Sequence, residues 1–496
     1  MELINLLRNV DFKSNINLEE MEDIKLEDIA YNSAKAKEGV AFVALEGMTL
    51  DGHRFANDAY NRGSRVFILS KDLELPVDCV KILVKNTRKA LAKLSCNFFG
   101  NPSKELKVIG ITGTKGKTTT SNYIKDIFKE AGYSTGIIGT NGVFYNGIKE
   151  ETKNTTPESY EIQRILRNML DSGVKAALLE VSSGGLKMDR VEGIDFDIGV
   201  FTNISRDHIG PKEHPDFEDY LYSKSRLFKL CRHGIVNIDD KHGEYIIENS
   251  DCPIETFSIK NDSDFKAVDI NLSKNIKSLG SSFLCKTRKD EYRYKIATPG
   301  IFSIYNALAS IAVSNYFGIS REVVNNVLEK ANVSGRAELL DVVDYASVVL
   351  DYAHNEVSLE NIIRTLKEYK KNRLICLFGS VGDRSILRRQ EMGDIAAKEC
   401  DISIVTSDNP GFESPEKIVD EIGECFKGAK SKLIKEVDRE KAIKLGIELL
   451  KKGDIFLIAG KGHEEYQLVE GEKIHFSDRE VALEAGKELL KEKKGI

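Results

Sequence analysis

Three observations predict an α/β fold. The apolar run Leu106-Lys-Val-Ile-Gly110 reads as a buried strand, a Gly-rich turn follows it, and Ser121–Glu130 reads as a helix. Short apolar runs then alternate with helical segments through 106–335, which implies a mostly parallel sheet with helices on both faces. The same rhythm starts again in 336–496, with the element order of a Rossmann-like domain but without a G-x-G-x-x-G fingerprint. Together with the residues ahead of them, these stretches predict three domains: 1–105, 106–335 and 336–496.

In the first domain, Val40-Ala-Phe-Val-Ala-Leu45 and Ser64-Arg-Val-Phe-Ile-Leu69 read as strands, and Ala56–Arg62 and Arg88–Phe99 as helices. Gly100-Asn-Pro-Ser103 is turn chemistry and marks the boundary. Strand candidates in the second domain are 106–112, Ser134–Gly139, Ala176–Val181, Ile198–Asn203 and Gly234–Ile238. Residues 252–298 switch to shorter alternating runs, the pattern of an antiparallel edge. Ser303–Phe317 then reads as a helix. The third domain offers strands at Val348–Asp351, Leu374–Phe378, Ile402–Thr406, Lys432–Lys435 and Ile455–Ala459, and helices at Glu440–Lys451 and Arg479–Lys491.

The chain of 496 residues is long enough for roughly three domains of ordinary size. Its net charge of −6, with no large basic block, argues against nucleic acid as the main partner. The eight cysteines are scattered and form no C-x-x-C pair, which suits reduced thiols and neither a disulfide frame nor a zinc site. The N-terminus is too charged for a signal peptide, and no apolar run approaches a membrane span. A soluble cytoplasmic protein is the expectation.

The turn Gly110-Ile-Thr-Gly-Thr-Lys-Gly-Lys-Thr-Thr-Thr120 is the strongest chemical signal. Its core, Gly113, Thr114, Lys115, Gly116, Lys117, Thr118 and Thr119, lets backbone N–H groups converge on phosphate oxygens at a helix N-terminus. Lys117 would reach the β- and γ-phosphates, and the Thr118 hydroxyl would lie on Mg²⁺. Glu180 ends a buried strand, at the edge where α/β sheets bind ligands, and its hard oxygens suit the same ion. Asp207 and His208 follow the next strand; His208 is equally a ligand, a hydrogen-bond post or a surface residue. Lys224 sits on a helical pattern, Asp216–Leu230, and by itself reads as a solvated lysine, because an ammonium repels a metal. Asn306 could read an adenine edge or bond locally, Arg336 could reach a phosphate and Asp351 a ribose hydroxyl. Gly379–Arg384, Arg388-Arg389, Ser407–Pro410 and Ala459–Glu464 follow predicted strands of the third domain. Such a rim, carrying both arginines and acids, suits an amino acid, whose two charges need opposite partners.

These residues together resemble the Mur ligase family, most closely the branch that adds the third residue of the peptidoglycan stem peptide. The likeness runs through Asp51-Gly-His53, Asn86-Thr-Arg-Lys-Ala90, Gly113–Thr119, Asn154-Thr-Thr-Pro157, Glu180-Val-Ser-Ser183, Asp207-His208, Tyr220 with Lys224, Tyr305-Asn306, Gly335-Arg336, Asp351-Tyr-Ala-His354, Asp408-Asn-Pro410, Gly460-Lys-Gly-His-Glu464 and Phe476-Ser-Asp-Arg-Glu480, in the family's order. The resemblance implies a domain for the UDP end, a central ATPase and a mobile C-terminal domain. It implies that Ser33 and the loop Met48, Thr49, Leu50 contact the uridine end. Asn154, Thr155, Thr156, Ser182 and Arg190 would hold a UDP-MurNAc-dipeptide. Lys224 aligns with the lysine that the family carbamylates, so that Thr118, Glu180, His208 and the Lys224 carbamate would form the Mg²⁺ set, with Lys117, Lys224 and His208 as the catalytic residues. Asn306, Arg336 and Asp351 would grip ATP across the domain junction. Arg389, Asp408, Asn409, Pro410, Gly411, Gly460 and Glu464 would receive a free amino acid. The expected reaction is ATP-dependent formation of an acyl phosphate, then attack by the amine, in a protein expected to be monomeric.

Several positions depart from the family pattern. Lys115 stands where Asn is usual, Asn32-Ser-Ala34 replaces Asp-Ser-Arg, and Gly184 replaces a frequent His. Met188 occupies a contact position that is usually polar, and Ile209–His214 is unusual after Asp-His. Gly411 stands in place of the arginine typical of ligases that add meso-diaminopimelate, which would pair with the substrate's distal carboxylate. This favours L-lysine or another diamino acid, and Glu413 could favour a cationic side chain. The rival readings are a related ligase such as folylpolyglutamate synthetase, disfavoured by Asp51-Gly-His53, and a non-catalytic ATP-binding scaffold of cell-wall assembly.

Overall fold

The computed structural model describes all residues except 48–49, 207–208, 211–212, 274, 383–385 and 495–496, with side chains described as far as residue 491. Contacts divide the chain into two compact units, residues 1–266 with 308–324, and 267–307 with 325–496. Among the described residues no helix is long and apolar enough to cross a membrane.

The first unit opens with five short strands, β1 (Lys13–Ser14), β2 (Asp28–Ala30), β3 (Val40–Val43), β4 (Val66–Leu69) and β5 (Val80–Leu83), in the order β1-β5-β4-β3-β2. All pairs are parallel except β1 with β5. β3 and β4 are buried along their whole length, as their unbroken apolar runs require of strands covered on both faces.

The central sheet of this unit follows. Its strands are β6 (Lys107–Thr112), β7 (Thr135–Gly139), β8 (Gly142–Tyr145), β9 (Ile148–Glu150), β10 (Ala176–Glu180), β11 (Phe196–Phe201), β12 (Cys231–Asn237) and β13 (Ile254–Ser258). They lie in the order β13-β12-β11-β6-β10-β7-β8-β9, parallel from β13 to β7 and antiparallel beyond. The chain moves one way from β6 to β7 and the other way from β10 to β11. The change of direction therefore falls at β6, where open α/β sheets form their ligand crevice. Val108, Ile109 and Ile111 of β6 have no exposed surface; each such side chain contributes about 1.5–3 kcal/mol of burial.

β14 (Phe265–Leu272) crosses from the first unit into the second at residue 267, and the second unit contains β15 (Ser281–Lys286) and β16 (Glu291–Ile296). Of these, β15 and β16 pair antiparallel, as the polar alternation predicts. The main sheet here is β17 (Glu338–Leu340), β18 (Ser347–Asp351), β19 (Leu374–Phe378), β20 (Ile402–Val405), β21 (Lys432–Lys435) and β22 (Ile455–Ala459), ordered β17-β18-β22-β19-β20-β21 and parallel apart from β17. One face packs on the helices Glu356–Tyr369, Ile386–Glu399 and Pro415–Gly423, the other on Arg439–Glu448 and the helix from Asp478. A hairpin, β23 (Tyr466–Val469) and β24 (Glu472–His475), stands apart from this sheet.

Three expectations shift in detail. The helix after the Gly-rich turn begins at Lys117, not Ser121, because a run of threonines carries no apolar period to announce it. The pattern at Asp216–Leu230 is an α-helix, Phe217–Ser225, that tightens into a 3₁₀ turn, Arg226–Lys229. Arg388 and Arg389 lie on the helix Ile386–Glu399 and not on the rim loop after β19.

Candidate active site

The turn between β6 and its helix has the geometry of an anion cradle. Gly113 has φ +149°, and a Cβ there would fall 2.0 Å from Thr202 Oγ1. Gly116, at φ +89°, is the N-cap and has no side chain to occupy the first helical turn. The turn is clamped from the end of β11: Asn203 Oδ1 accepts from the Lys115 N–H at 3.0 Å, and Thr202 Oγ1 donates to Lys115 O at 2.7 Å. Lys117 folds its ammonium back onto Gly113 O, at 2.8 Å, and Thr114 O. Thr119 is half-buried in the first helical turn.

Glu180 closes the same crevice from the end of β10. It is 2% exposed, and its Oε2 accepts from Thr118 Oγ1 at 3.0 Å and from Thr140 Oγ1 at 2.9 Å. A Cβ on Gly139 would meet Glu180 Oε1 at 2.4 Å, so that glycine makes room for the carboxylate. Thr140 also reaches Thr155 Oγ1 at 3.2 Å. Thr156 Oγ1 donates to Glu180 O and lies 3.0 Å from Ser182 Oγ, which caps the next helix at Gly185 N. Asn154 is exposed beside them. Arg190 donates to Glu158 and to Thr156 O, while Arg88 approaches the same Glu158 carboxylate. Sequence alone did not mark Thr140 or Glu158, and it marked Arg88 only within the motif Asn86–Ala90, with no role given to it.

Lys224 departs most from its reading as a solvated lysine. It is 2% exposed, with its ammonium 4.6 Å from the centre of the Tyr220 ring. The Tyr220 hydroxyl lies 2.9 Å from Thr114 Oγ1 in the Gly-rich turn. His208 and its neighbour Asp207 lie outside the described residues, as do Met48 and Thr49. In the first domain, Leu50 is exposed and Ser33 hydrogen-bonds to Asp58. Glu46, Asp51 and His53 stand close enough to suggest a metal, but the histidine is already used. Its Nε2 accepts from Ser70 N–H, its Nδ1 meets Asp51 at 2.6 Å, and Lys71 bridges the two acids. This cluster ties a loop to β4.

In the second unit the predicted residues gather at the C-terminal ends of β18, β20 and β22. Asp351 accepts from Ala337 N–H and Ala353 N–H. Arg336 stacks 4.7 Å from the centre of the Tyr352 ring. Asn306 is buried on the helix Ile301–Tyr316. Asp408 is fully enclosed; burial raises its carboxyl above the ordinary range, while Arg439 and Lys461 pull it back. A Cβ on Gly460 would meet Asp408 Oδ2 at 2.5 Å. Lys461, with no exposed surface, donates to Asn409 Oδ1 at 3.0 Å and to Glu464 Oε2. Glu464 also accepts from Tyr352 OH. Pro410 and Gly411 continue the loop; Gly411 has φ +62° and exchanges backbone hydrogen bonds with Leu468 and Glu470 of the hairpin. Arg389 is 1% exposed, and its guanidinium is held by Glu413 and Glu421. The acidic residue thought to await a cationic substrate therefore already has an arginine.

Comparison with known proteins agrees along the chain. Residues 25–99 match the Mur ligase family catalytic domain, 111–314 the Mur ligase middle domain, and 335–462 the Mur ligase glutamate ligase domain. The chain is 40% identical over 489 residues to a UDP-N-acetylmuramoyl-L-alanyl-D-glutamate–2,6-diaminopimelate ligase of Clostridium perfringens (strain 13 / Type A), covering 97% of this chain and 98% of that protein. A solved structure of a ligase of the same description is 26% identical, with TM-score 0.74 over 99% of both chains. The MurF ligase of Thermotoga maritima in complex with ADP shares the fold at 20% identity, with TM-score 0.58, over 96% of this chain and all of that one.

Proposed function

Because this chain belongs to the Mur ligase family and is an ATP-dependent amino-acid ligase of peptidoglycan synthesis, we propose that it extends UDP-N-acetylmuramoyl-L-alanyl-D-glutamate by one diamino acid. The observation that carries the reading is the crevice at β6: an uncapped helix start, Lys117, and the Thr118–Glu180 pair at 3.0 Å. ATP passes its γ-phosphoryl group to the free carboxylate of the D-glutamyl residue, giving an acyl phosphate and ADP. The amine of the added residue attacks the acyl carbon, and phosphate leaves. Lys117 swings from the loop carbonyls to the β/γ-phosphates, and the loop amides hold them. Thr156, Ser182, Arg190, Asn154 and Thr155 orient the muramoyl-dipeptide. Asn306, Arg336 and Asp351 bind the nucleotide.

The donor set fits Mg²⁺, which takes hard oxygen ligands: a hydroxyl from Thr118, a carboxylate from Glu180 and, with His208, a carbamate on Lys224. Bound there, the ion neutralises charge on the phosphoryl group being transferred. CO₂ added to the neutral Lys224 amine, with loss of one proton, makes that side chain an anion.

For the added residue, Gly411 favours L-lysine or a diamino acid without a distal carboxylate. Its φ of +62° suits glycine, and an arginine there would cost about 1–2 kcal/mol of backbone strain. A second reading, 2,6-diaminopimelate, is favoured by the relatives, which are 2,6-diaminopimelate ligases. The domain assignment follows: 1–105 for the UDP end, 106–335 for ATP, 336–496 for the amino acid, in a cytoplasmic monomer. The test is a panel of amino acids supplied with UDP-MurNAc-dipeptide and ATP, read by product mass and phosphate release. Faster turnover with diaminopimelate than with lysine overturns the lysine reading. Absence of any product with any amino acid overturns the function.

A further inference from the structure

His214 is the least exposed histidine-to-acid contact in the crevice unit that the proposed chemistry leaves unused. It is 1% exposed, in the segment whose sequence departs from the family pattern. Its Nδ1 lies 2.6 Å from Asp219 Oδ2 and its Nε2 lies 3.0 Å from Ser183 Oγ. Burial holds the imidazole below its ordinary pKa, against the pull of Asp219, and Lys187 and Lys224 push the same way as burial. A neutral ring donates Nδ1–H to the carboxylate and accepts the Ser183 hydroxyl proton at Nε2. Lys187 completes the chain with a hydrogen bond to Asp219 at 2.7 Å.

The three partners belong to the two segments that carry the anionic donors. Ser183 follows Glu180 at the end of β10. Asp219 lies in the first turn of the helix Phe217–Ser225, one residue before Tyr220 and on the helix that carries Lys224. The His214 and Tyr220 rings are 5.1 Å apart, and Tyr220 reaches the Gly-rich turn through Thr114. Serine, histidine and aspartate in this order also describe a hydrolytic triad. Here, however, Ser183 is only 5% exposed, which suits a strut better than a nucleophile.

We propose that His214 is a positioning residue that locks the Lys224 helix to the end of β10, so that the Lys224 side chain is held where it can carry a carbamate. This rests on the carbamate reading of Lys224.

The test uses full-length H214L, H214N and S183A, with the unaltered protein and K224A as references. The protein is equilibrated with ¹³C-bicarbonate, and the carbamate carbon is observed by NMR alongside steady-state kinetics. H214L is expected to lose the carbamate signal and to lower kcat roughly 10- to 100-fold, with KM for ATP little changed and part of kcat restored by added bicarbonate. H214N retains the hydrogen bond to Asp219 and is expected to keep most of the signal. If H214L does not fold, S183A, which removes one oxygen, must show a weakened signal. A folded H214L, or failing that S183A, with the full carbamate signal and kcat within twofold of the unaltered protein overturns the inference. An unaltered protein that turns over ATP without any carbamate signal overturns the carbamate reading itself, and this inference with it.

Discussion

Glu180 and Gly113 make the residue-scale case. Glu180 is buried, acidic and satisfied by two threonine hydroxyls. Replacing it with Gln keeps the shape and removes the charge. E180Q is expected to lower kcat by about 10²-fold or more while the protein stays folded, as measured by phosphate release beside a thermal melt. G113A places a methyl group against Thr202 Oγ1 and must distort the loop. Its ADP affinity, measured by calorimetry, is expected to fall by roughly tenfold or more, equivalent to about 1.4 kcal/mol. Both residues were legible in the sequence, because an acid ending an apolar strand and a glycine in a strand–turn–helix have local causes. Lys224 was not legible without the family resemblance, since its burial depends on Tyr220 and on segments far off in sequence. Thr140 was missed for the same reason: only the pairing of β7 with β10 brings it to Glu180.

At the scale of elements, strands with unbroken apolar runs were readable, and hairpins were not. β9 at the edge of its sheet, and β23 with β24, are short and partly or wholly exposed, and β8 is largely buried but only four residues long, so little hydrophobic pattern marks them. Yet the hairpin β23–β24 organises the loop Asp408–Gly411. Asn409 Oδ1 accepts from Leu468 N–H at 2.9 Å and from the enclosed Lys461, and Gln467 donates to Asp408 O. N409A removes this joint and leaves a buried ammonium with one acceptor fewer. It is expected to raise KM for the amino acid by roughly tenfold and to leave KM for ATP unchanged, as measured by varying each substrate in turn.

At the scale of the molecule, acid weakens the second unit through carboxylates that tie its helices to one another and to the sheet. Glu399 is held below its ordinary value of 4.5 by the hydrogen bond from Lys367. Asp401 sits below 3.8 although burial works the other way, because Lys370 and the Leu374 N–H stabilise the anion. Native values below the unfolded ones mean that the unfolded chain takes up protons first. The stabilisation is present above about pH 4.5 and is lost as pH falls through the native values. The urea midpoint is expected to hold between pH 7 and pH 5 and to drop below about pH 4. A mostly parallel sheet with helices on both faces could be anticipated from rhythm alone. The division by contacts could not, because its boundary cuts through the strand Phe265–Leu272 and the helix Ile301–Tyr316, each continuous in the backbone.

The buried pair of Arg439 with Asp478 has a consequence for biosynthesis. Neither side chain has any exposed surface, and the arginine also holds Ser407 O and Ala459 O at the ends of β20 and β22. Until translation passes Asp478, the guanidinium lacks the carboxylate that grips it through two hydrogen bonds, and the sheet closes over a cation with only the nearby charges of Asp408 and Glu464 to offset it. This unit therefore commits to its native state late on the ribosome, and a nascent chain stopped just short of that aspartate is a substrate for chaperones.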